Sequence, residues 1–413
     1  MPVAGRGAVH AAAPYPQGQA RSASHRAHHR HGQRPLTALS TPRYDVVVLG
    51  AGPAGASCAL ALARAGVQRS CLVDGGSAAG AAIGETIPPD TRLLLQQLGL
   101  WSAFVDDGHL RCHGSCASWG SPQLGFNDFV LNPHGAAWHL DRARFDSFLR
   151  SHAHAAGVEG LQDARLVDAA QDADGDIVLT LASRERGMRT LRARMVVDAT
   201  GQASALARRL GARRRELDRL SVVYGFFDAT AATSPSRLTL LEASADGWWY
   251  AALLPGQRIA VAFATDAESV KRDRLGSDHG WLSAVMRTRH LVQRLDGCRY
   301  LPGQLTARVA ASFMLDRVAG PRWLAIGDAA ASFDPLAAQG IYKAISDGLH
   351  AAASVSAALA DDSDLSDDYA SAVQARFAEY LINRNHFYNL ERRWPDSAFW
   401  ARRQARLDLA AVA

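Results

Sequence analysis

Hydrophobic positions along the chain fall into two kinds of run. Short unbroken apolar stretches at Val46 to Leu49, Met195 to Val197 and Trp323 to Ile326 each stop at a turn bearing glycine or aspartate. Runs of this length without polar alternation read as strands buried on both faces, as in a parallel sheet. An Ala/Leu-rich helix follows the first run through Ala65, then a short strand from Ser70 to Val73, and the third run leads to a helix predicted over 341–358. Elsewhere the pattern alternates. Residues 163–171, 177–182 and 190–198 predict a three-stranded meander, and 219–265 with 305–318 predict further strands. These include Ser221-Val-Val-Tyr-Gly-Phe-Phe, Gly247-Trp-Trp-Tyr-Ala-Ala-Leu-Leu-Pro255 and Ile259-Ala-Val-Ala-Phe-Ala264, an aromatic-rich sheet suited to walling a pocket. The C-terminal residues, 356–413, read as mostly helical with no sharp chemical motif.

The turns carry the chemistry. Leu49 runs into Gly50-x-Gly52-x-x-Gly55, followed by Pro53 and Ala54 at the helix start. The first glycine permits a tight turn, the second lets a pyrophosphate approach the backbone, and the third lets helix and strand pack closely. Asp74 ends the next strand, about 20 residues on, where the pattern calls for an acid on a ribose hydroxyl. Gly327-Asp328 ends the late strand, and Pro335 to Gly340 then brings bare amides to the start of a helix beginning near Ile341, which is an anion site. Asp198-Ala-Thr-Gly201 is a second turn onto which a nucleotide could dock. These segments bracket the rest, so other structure is inserted into a dinucleotide domain.

Composition narrows the class. With 413 residues, 48% of them apolar, and ordinary charge, the chain is globular and long enough for two or three domains. No apolar run approaches the roughly 18 residues of a membrane span, so no integral membrane association is expected. Residues 1–44 contain no Asp or Glu but six Arg and five His. Their composition predicts a disordered arm over 1–42, either a bland extension or a charge-based tether, and no nucleic-acid partner is assigned. Five cysteines, an odd and scattered set, fit reduced thiols in the cytoplasm. His109-x-x-Cys112-His113-x-x-Cys116 lacks a second ligand pair, and Asp172-Ala-Asp174-Gly-Asp176 has Ile177 and Ser183 where a calcium loop needs Gly and Glu. No metal is therefore assigned, and the aspartates read as a hairpin turn.

With these turns in this order, residues 43 to about 400 resemble the FAD-dependent aromatic hydroxylase superfamily typified by p-hydroxybenzoate hydroxylase. Gly84-Glu-Thr-Ile-Pro-Pro, Asp141-Arg-Ala-Arg-Phe-Asp-Ser-Phe-Leu, Gly247-Trp-Trp-Tyr and Arg393-Trp-Pro-Asp-Ser-Ala-Phe-Trp narrow the likeness. They look like the branch shared by flavin-dependent halogenases and by maturation flavoproteins of the LodB and GoxB type, which hydroxylate a tryptophan inside a partner protein as it acquires a quinone cofactor. Tryptophan halogenases carry a relay lysine in the window that here reads His109-Leu-Arg-Cys-His-Gly-Ser-Cys116. This chain has only Lys271 and Lys343, outside that window.

The resemblance implies an α/β fold: a Rossmann-type FAD-binding domain (43–102, 140–205 and 319–355), an inserted antiparallel-sheet substrate domain (103–139 and 206–318) and a helical C-terminus. It implies an FAD-dependent monooxygenase acting through a flavin hydroperoxide, with NADH or NADPH, direct or through a reductase, and O2. The expected substrate is a tryptophan of a partner protein or peptide; a small-molecule aromatic hydroxylase or a halogenase of secondary metabolism is the alternative. Gly50, Gly52, Pro53, Ala54, Gly55 and Asp74 are expected at the ADP half, and Glu85, Arg142, Asp198, Gly327 and Asp328 at the remaining cofactor contacts. Pro335, Gln339, Gly340 and Ile341 are expected against the isoalloxazine, and Trp248, Trp249 and Tyr250 around the substrate. His113, His134 and His139 are the acid–base candidates, and none of the three is singled out.

Overall fold

The computed structural model describes residues 41–76, 85–363, 365 and 367–405, so most of the N-terminal arm and Gly84 lie outside the described residues. From Thr41 onward the chain forms one compact unit. Its first sheet is parallel at the centre, in the order Trp323–Ala325, Gly187–Asp198, Arg43–Leu49, Ser70–Val73 and Glu159–Leu161. Val46, Val47 and Val48 have no solvent exposure, because helices and neighbouring strands cover both faces. The helices Pro53–Arg64 and Gly340–Asp361 pack so closely that a Cβ on Gly348 would stand 2.7 Å from the Ala54 carbonyl oxygen. The helix Arg142–Ala155 lies alongside the first of them.

The predicted meander is present as Ala164–Gln171, Ile177–Ser183 and Gly187–Asp198. Its aspartate loop is a turn: Asp172 accepts hydrogen bonds from the backbone of Asp174 and Asp176, both at 3.0 Å. Arg43 and Arg192 neutralise the cluster from the adjoining strands.

A second eight-stranded sheet runs Ala331–Ser332, Arg299–Leu315, Arg214–Asp228, Arg258–Thr265, Gly247–Leu254, Thr239–Ser244, Gly114–Ser118 and Gly125–Asp128. It is antiparallel except where Thr239–Ser244 pairs with Gly114–Ser118. At its centre both faces are covered. Along Gly247–Leu254, Trp249, Ala251 and Leu253 enter one core, and Trp248, Ala252 and Leu254 enter the other, as a two-residue period requires.

Three short helices, Ala267–Arg272, Asp278–Val285 and His290–Arg294, cover the Trp249 face. The strand pattern did not foresee them, since elements of about two turns or fewer leave little periodicity to read. Glu242 fixes the last one by accepting the backbone N–H groups of Arg289, His290 and Leu291. The opposite face is closed by the end of the helix Asp367–Leu390 and by Ala398–Gln404, through Tyr388, Phe399 and Trp400. A small sheet of Thr86–Ile87, Ala137–His139 and Leu110–Cys112 joins the two larger ones.

Candidate active site

The three glycines of the first turn do different work. Gly50 has φ +105°, and a Cβ there would stand 2.2 Å from the Ala199 carbonyl oxygen. A Cβ on Gly55 would stand 1.8 Å from the Gly50 carbonyl oxygen, so both positions exclude a side chain through the protein's own packing. Gly52 is different: nothing lies within 4 Å of its Cβ direction. It caps the helix Pro53–Arg64 without a side-chain hydrogen bond, and the first turn holds no acidic residue, so the opening offers amides and positive helix dipole to an anion.

Beside this turn, Ala51, Asp74, Arg150, His154 and Gly160 line a cavity of about 310 Å³. Arg150 Nε lies 4.0 Å from Asp74 Oδ2, and Arg150 Nη1 reaches the Ala51 carbonyl at 3.5 Å. Nothing in the sequence marks Arg150 beyond its place about two helix turns after Asp141-Arg142. Arg142 pairs with Asp146 at 3.2 Å, one turn along its own helix.

Asp198 requires a correction. Its carboxylate accepts from Thr200 N and Oγ1 and from Leu206 and Ala207 N, at 2.6 to 3.0 Å, and it has no solvent exposure. These four bonds occupy its acceptor capacity, so Asp198 shapes the turn that presses Ala199 onto Gly50 instead of offering a carboxylate to a ligand.

The late segment meets the early one directly. Gly327 has φ +58°, and a Cβ there would lie 3.0 Å from that of Ala54. Asp328 is half exposed and pairs with Lys343 at 3.2 Å; Ile341 is buried. Pro335, Gln339 and Gly340 are exposed on the same stretch, and Gln339 caps the helix Gly340–Asp361 without a side-chain bond. Nothing lies within 4 Å of a Cβ on Gly340, so this helix start is open like that at Gly52.

The aromatic strand divides. Trp248 is buried toward the C-terminal helices and donates from Nε1 to Tyr388 Oη at 3.2 Å. Tyr250 is on the same face; its hydroxyl lies 2.7 Å from Thr86 Oγ1, and burial with the neighbouring Glu85 holds its pKa well above the usual phenol range. Glu85 is buried, and its carbonyl accepts from Leu140 N. Trp249 points the other way, stacked on Phe263 at 4.2 Å beside Trp281. It is core of the opposite face and cannot share a pocket with its two neighbours.

His139 is also corrected. It has no exposure, its Nδ1 donates to the Leu253 carbonyl at 2.8 Å, and its Nε2 accepts from Thr239 Oγ1 at 3.0 Å. Burial lowers its pKa to about 4, so it is a neutral packing residue. His113 is exposed, and His134 lies in an outer turn with Nε2 3.8 Å from Asp90 Oδ1.

The family of the FAD binding domain matches residues 43–384. The chain belongs to this FAD-binding family. Among its relatives, the FAD-dependent oxidoreductase LodB of Marinomonas mediterranea is 29% identical over 363 residues, covering 88% of this chain and 97% of LodB. The fold is shared with the myxobacterial chondrochloren halogenase CndH, at TM-score 0.79 and 22% identity over 89% of this chain and 87% of that one. It is shared too with the peptidyl tryptophan dihydroxylase QhpG, at TM-score 0.71 and 24% identity over 89% and 80%.

The family assignment makes this a flavin-dependent enzyme, and the residues fit FAD. Both helix starts are uncapped, and Gly52 and Gly340 leave room at them where a side chain would intrude. What sequence reasoning missed is the support beneath the second opening. Asp334 caps the turn Pro335–Ala337 and is held by Tyr380, Arg384 and Tyr388 from the C-terminal helix. Their four-residue spacing was visible, but nothing local announced the partner.

Proposed function

We propose that this flavin-dependent enzyme hydroxylates a tryptophan side chain of a partner protein during quinone-cofactor biogenesis. Electrons come from NADH or NADPH, directly or through a reductase, and oxygen from O2. In this reading the amides following Gly52 hold the pyrophosphate, Asp74 and Arg150 hold the ADP ribose in their cavity, and Pro335 to Gly340 face the isoalloxazine. Bound FAD supplies the oxygen chemistry. The chain's own residues hold the ring, keep water away and offer charge where it is needed.

The observation that carries this reading against halogenation is the disposition of lysine. The relay window contains none; Lys343 is buried against Asp328 and the Ala331 carbonyl, and Lys271 is exposed on the outer helix Ala267–Arg272. A relay needs an amine free to react and facing the substrate, and neither lysine meets both conditions. The match along nearly the whole of LodB supports the same assignment; the fold, shared with a halogenase and with a peptidyl tryptophan dihydroxylase alike, suits either chemistry. Five free thiols, four of them buried, support a reducing compartment, the cytoplasm. Among the described residues, no helix is long and apolar enough to cross a membrane.

The test is to supply the purified protein with FAD, NADH or NADPH with a flavin reductase, O2 and halide, and then to weigh candidate tryptophan peptides. A gain of one or two oxygens on tryptophan is the expected result. Chlorine or bromine on the ring would overturn the reading, and oxygen gained only by a free indole or phenol would move it to a small-molecule hydroxylase.

A further inference from the structure

Three side chains on one face of the helix Asp367–Leu390 converge on a single residue, Asp334: two on its carboxylate and one on its backbone N–H. Tyr380, Arg384 and Tyr388 follow each other at four-residue intervals and so form one stripe. Asp334 N donates to Tyr380 Oη at 2.9 Å, Tyr388 Oη donates to Asp334 Oδ2 at 2.8 Å, and Arg384 Nε stands 3.5 Å from the same oxygen. Asp334 Oδ1 accepts Leu336 N at 2.9 Å and closes the turn Pro335–Ala337. The side chains of Asp334 and Arg384 are 1% and 4% exposed. Arg384 continues to Asp218, which Arg403 binds in turn.

Stability alone does not account for this arrangement. Burying paired charges costs desolvation that their attraction barely offsets, and an apolar cluster of the same volume is often as stable. What the charges add is one fixed geometry. The turn leads through Ala338, at φ +49°, to Gln339 and the uncapped helix start at Gly340. Tyr388 also accepts the Trp248 indole N–H, so one hydroxyl joins the substrate wall to the turn. Burial, with the nearby Asp218 carboxylate, raises the pKa of Asp334 overall; against this, Arg384, the Leu336 N–H and the Tyr388 hydroxyl all present positive charge or donors to its oxygens and hold the anion in place.

We propose that Tyr388 and Arg384 are positioning residues that hold Asp334, and through it set the Pro335–Gly340 turn and one buried negative charge against the FAD ring. This rests on Pro335–Gly340 facing the isoalloxazine, and it is independent of which aromatic substrate is oxidised. A fixed anion near the ring disfavours the extra electrons of reduced FAD and so lowers its potential.

The experiment compares full-length wild type, Asp334→Asn and Tyr388→Phe, each loaded with FAD. It measures FAD affinity, the visible spectrum, the midpoint potential and the melting temperature without any aromatic substrate. Asp334→Asn is expected to favour reduced over oxidised FAD by about tenfold, about 30 mV upward for two electrons. Tyr388→Phe keeps the ring packing but removes a donor dipole that offsets the anion, so it moves the potential and the absorption band the opposite way from Asp334→Asn and by less. Its affinity for oxidised FAD stays within about threefold. If Asp334→Asn does not fold, Tyr388→Phe decides alone. A lower melting temperature with spectrum and potential as in wild type would reduce the stripe to a structural role and overturn the proposal.

Discussion

Lys343 Nζ lies 3.2 Å from Asp328 Oδ1 and 2.7 Å from the Ala331 carbonyl oxygen, which locks one of the chain's two lysines beside the Gly327-Asp328 turn. Its side chain is 5% exposed and sits over the Phe333 ring. Replacing it by methionine strands the Ala331 carbonyl and leaves buried Asp347 with Arg376 and the Gly327 N–H. Because Asp328 is half exposed, we expect a loss of about 2 kcal/mol, at the low end for breaking such a pair. Denaturant unfolding should show that loss, FAD affinity should fall with it, and the identity of the product should not change. A Lys343→Met variant that keeps its stability but changes or loses one product class would make Lys343 a reacting group.

The glycine turn makes a sharper prediction, because its positions are closed by different things. Gly52→Ala meets no protein atom within 4 Å and has an ordinary extended backbone, so its melting temperature should match wild type. Its FAD affinity should fall about tenfold or more, as the methyl group enters the ligand's space and costs at least one hydrogen bond's worth of contact. Gly50→Ala should instead lose about 2 kcal/mol or more of stability, from its positive φ and the Ala199 carbonyl. Equal stability losses in both variants would show that Gly52 is packed by the protein and is not the open edge of the cradle.

Adjacent tryptophans should respond differently. Trp249→Ala removes a ring stacked within the core and should cost about 4 kcal/mol in unfolding free energy. Trp248→Phe keeps most of the apolar volume, loses the bond to Tyr388, and should cost about 1 kcal/mol. The second variant should reduce turnover more than the first reduces it per folded molecule. The opposite ranking in steady-state assays would place the substrate on the Trp249 face.

His139 sets a pH dependence of stability. Its pKa of about 4 in the fold lies below the ordinary value of 6.5, so the unfolded chain binds its proton first. Stability is therefore whole above about 6.5 and is lost as pH falls toward 4, with roughly 3 kcal/mol at stake. Urea midpoints taken across that range should fall with pH in wild type, and the part owed to this residue should be missing in His139→Gln. An identical pH slope in both proteins would remove His139 as the cause.

Much of the local structure around the first glycine turn could be read from the sequence, because its signals are local. Val46 to Gly55 declares a buried strand, a turn that only glycine satisfies and a helix start, all within ten residues. The direction of Trp249 was also available: neighbours on a strand face opposite ways, so Trp248 and Trp249 could never line one pocket. The support of the second turn was not legible. Asp334 meets Tyr380, Arg384 and Tyr388 across 46 to 54 positions of chain, and a buried ion pair leaves no periodic trace in either segment. Asp198 misled for a related reason: an acid after a strand looks the same whether it caps its own turn or awaits a ligand. His139 shows the same ambiguity, since only the carbonyl of Leu253 and the hydroxyl of Thr239, far along the chain, decide that it packs.

The central claim, that this flavin-dependent enzyme delivers oxygen and not halogen to a tryptophan, is tested most directly by isotope. The FAD-loaded protein is given reducing equivalents, isotopically heavy dioxygen, chloride and bromide, and a tryptophan-bearing peptide of the partner protein, and the product is sequenced by mass spectrometry. The account predicts heavy oxygen on the tryptophan ring and no halogen. Chlorine or bromine on that ring, with no heavy oxygen, would contradict it.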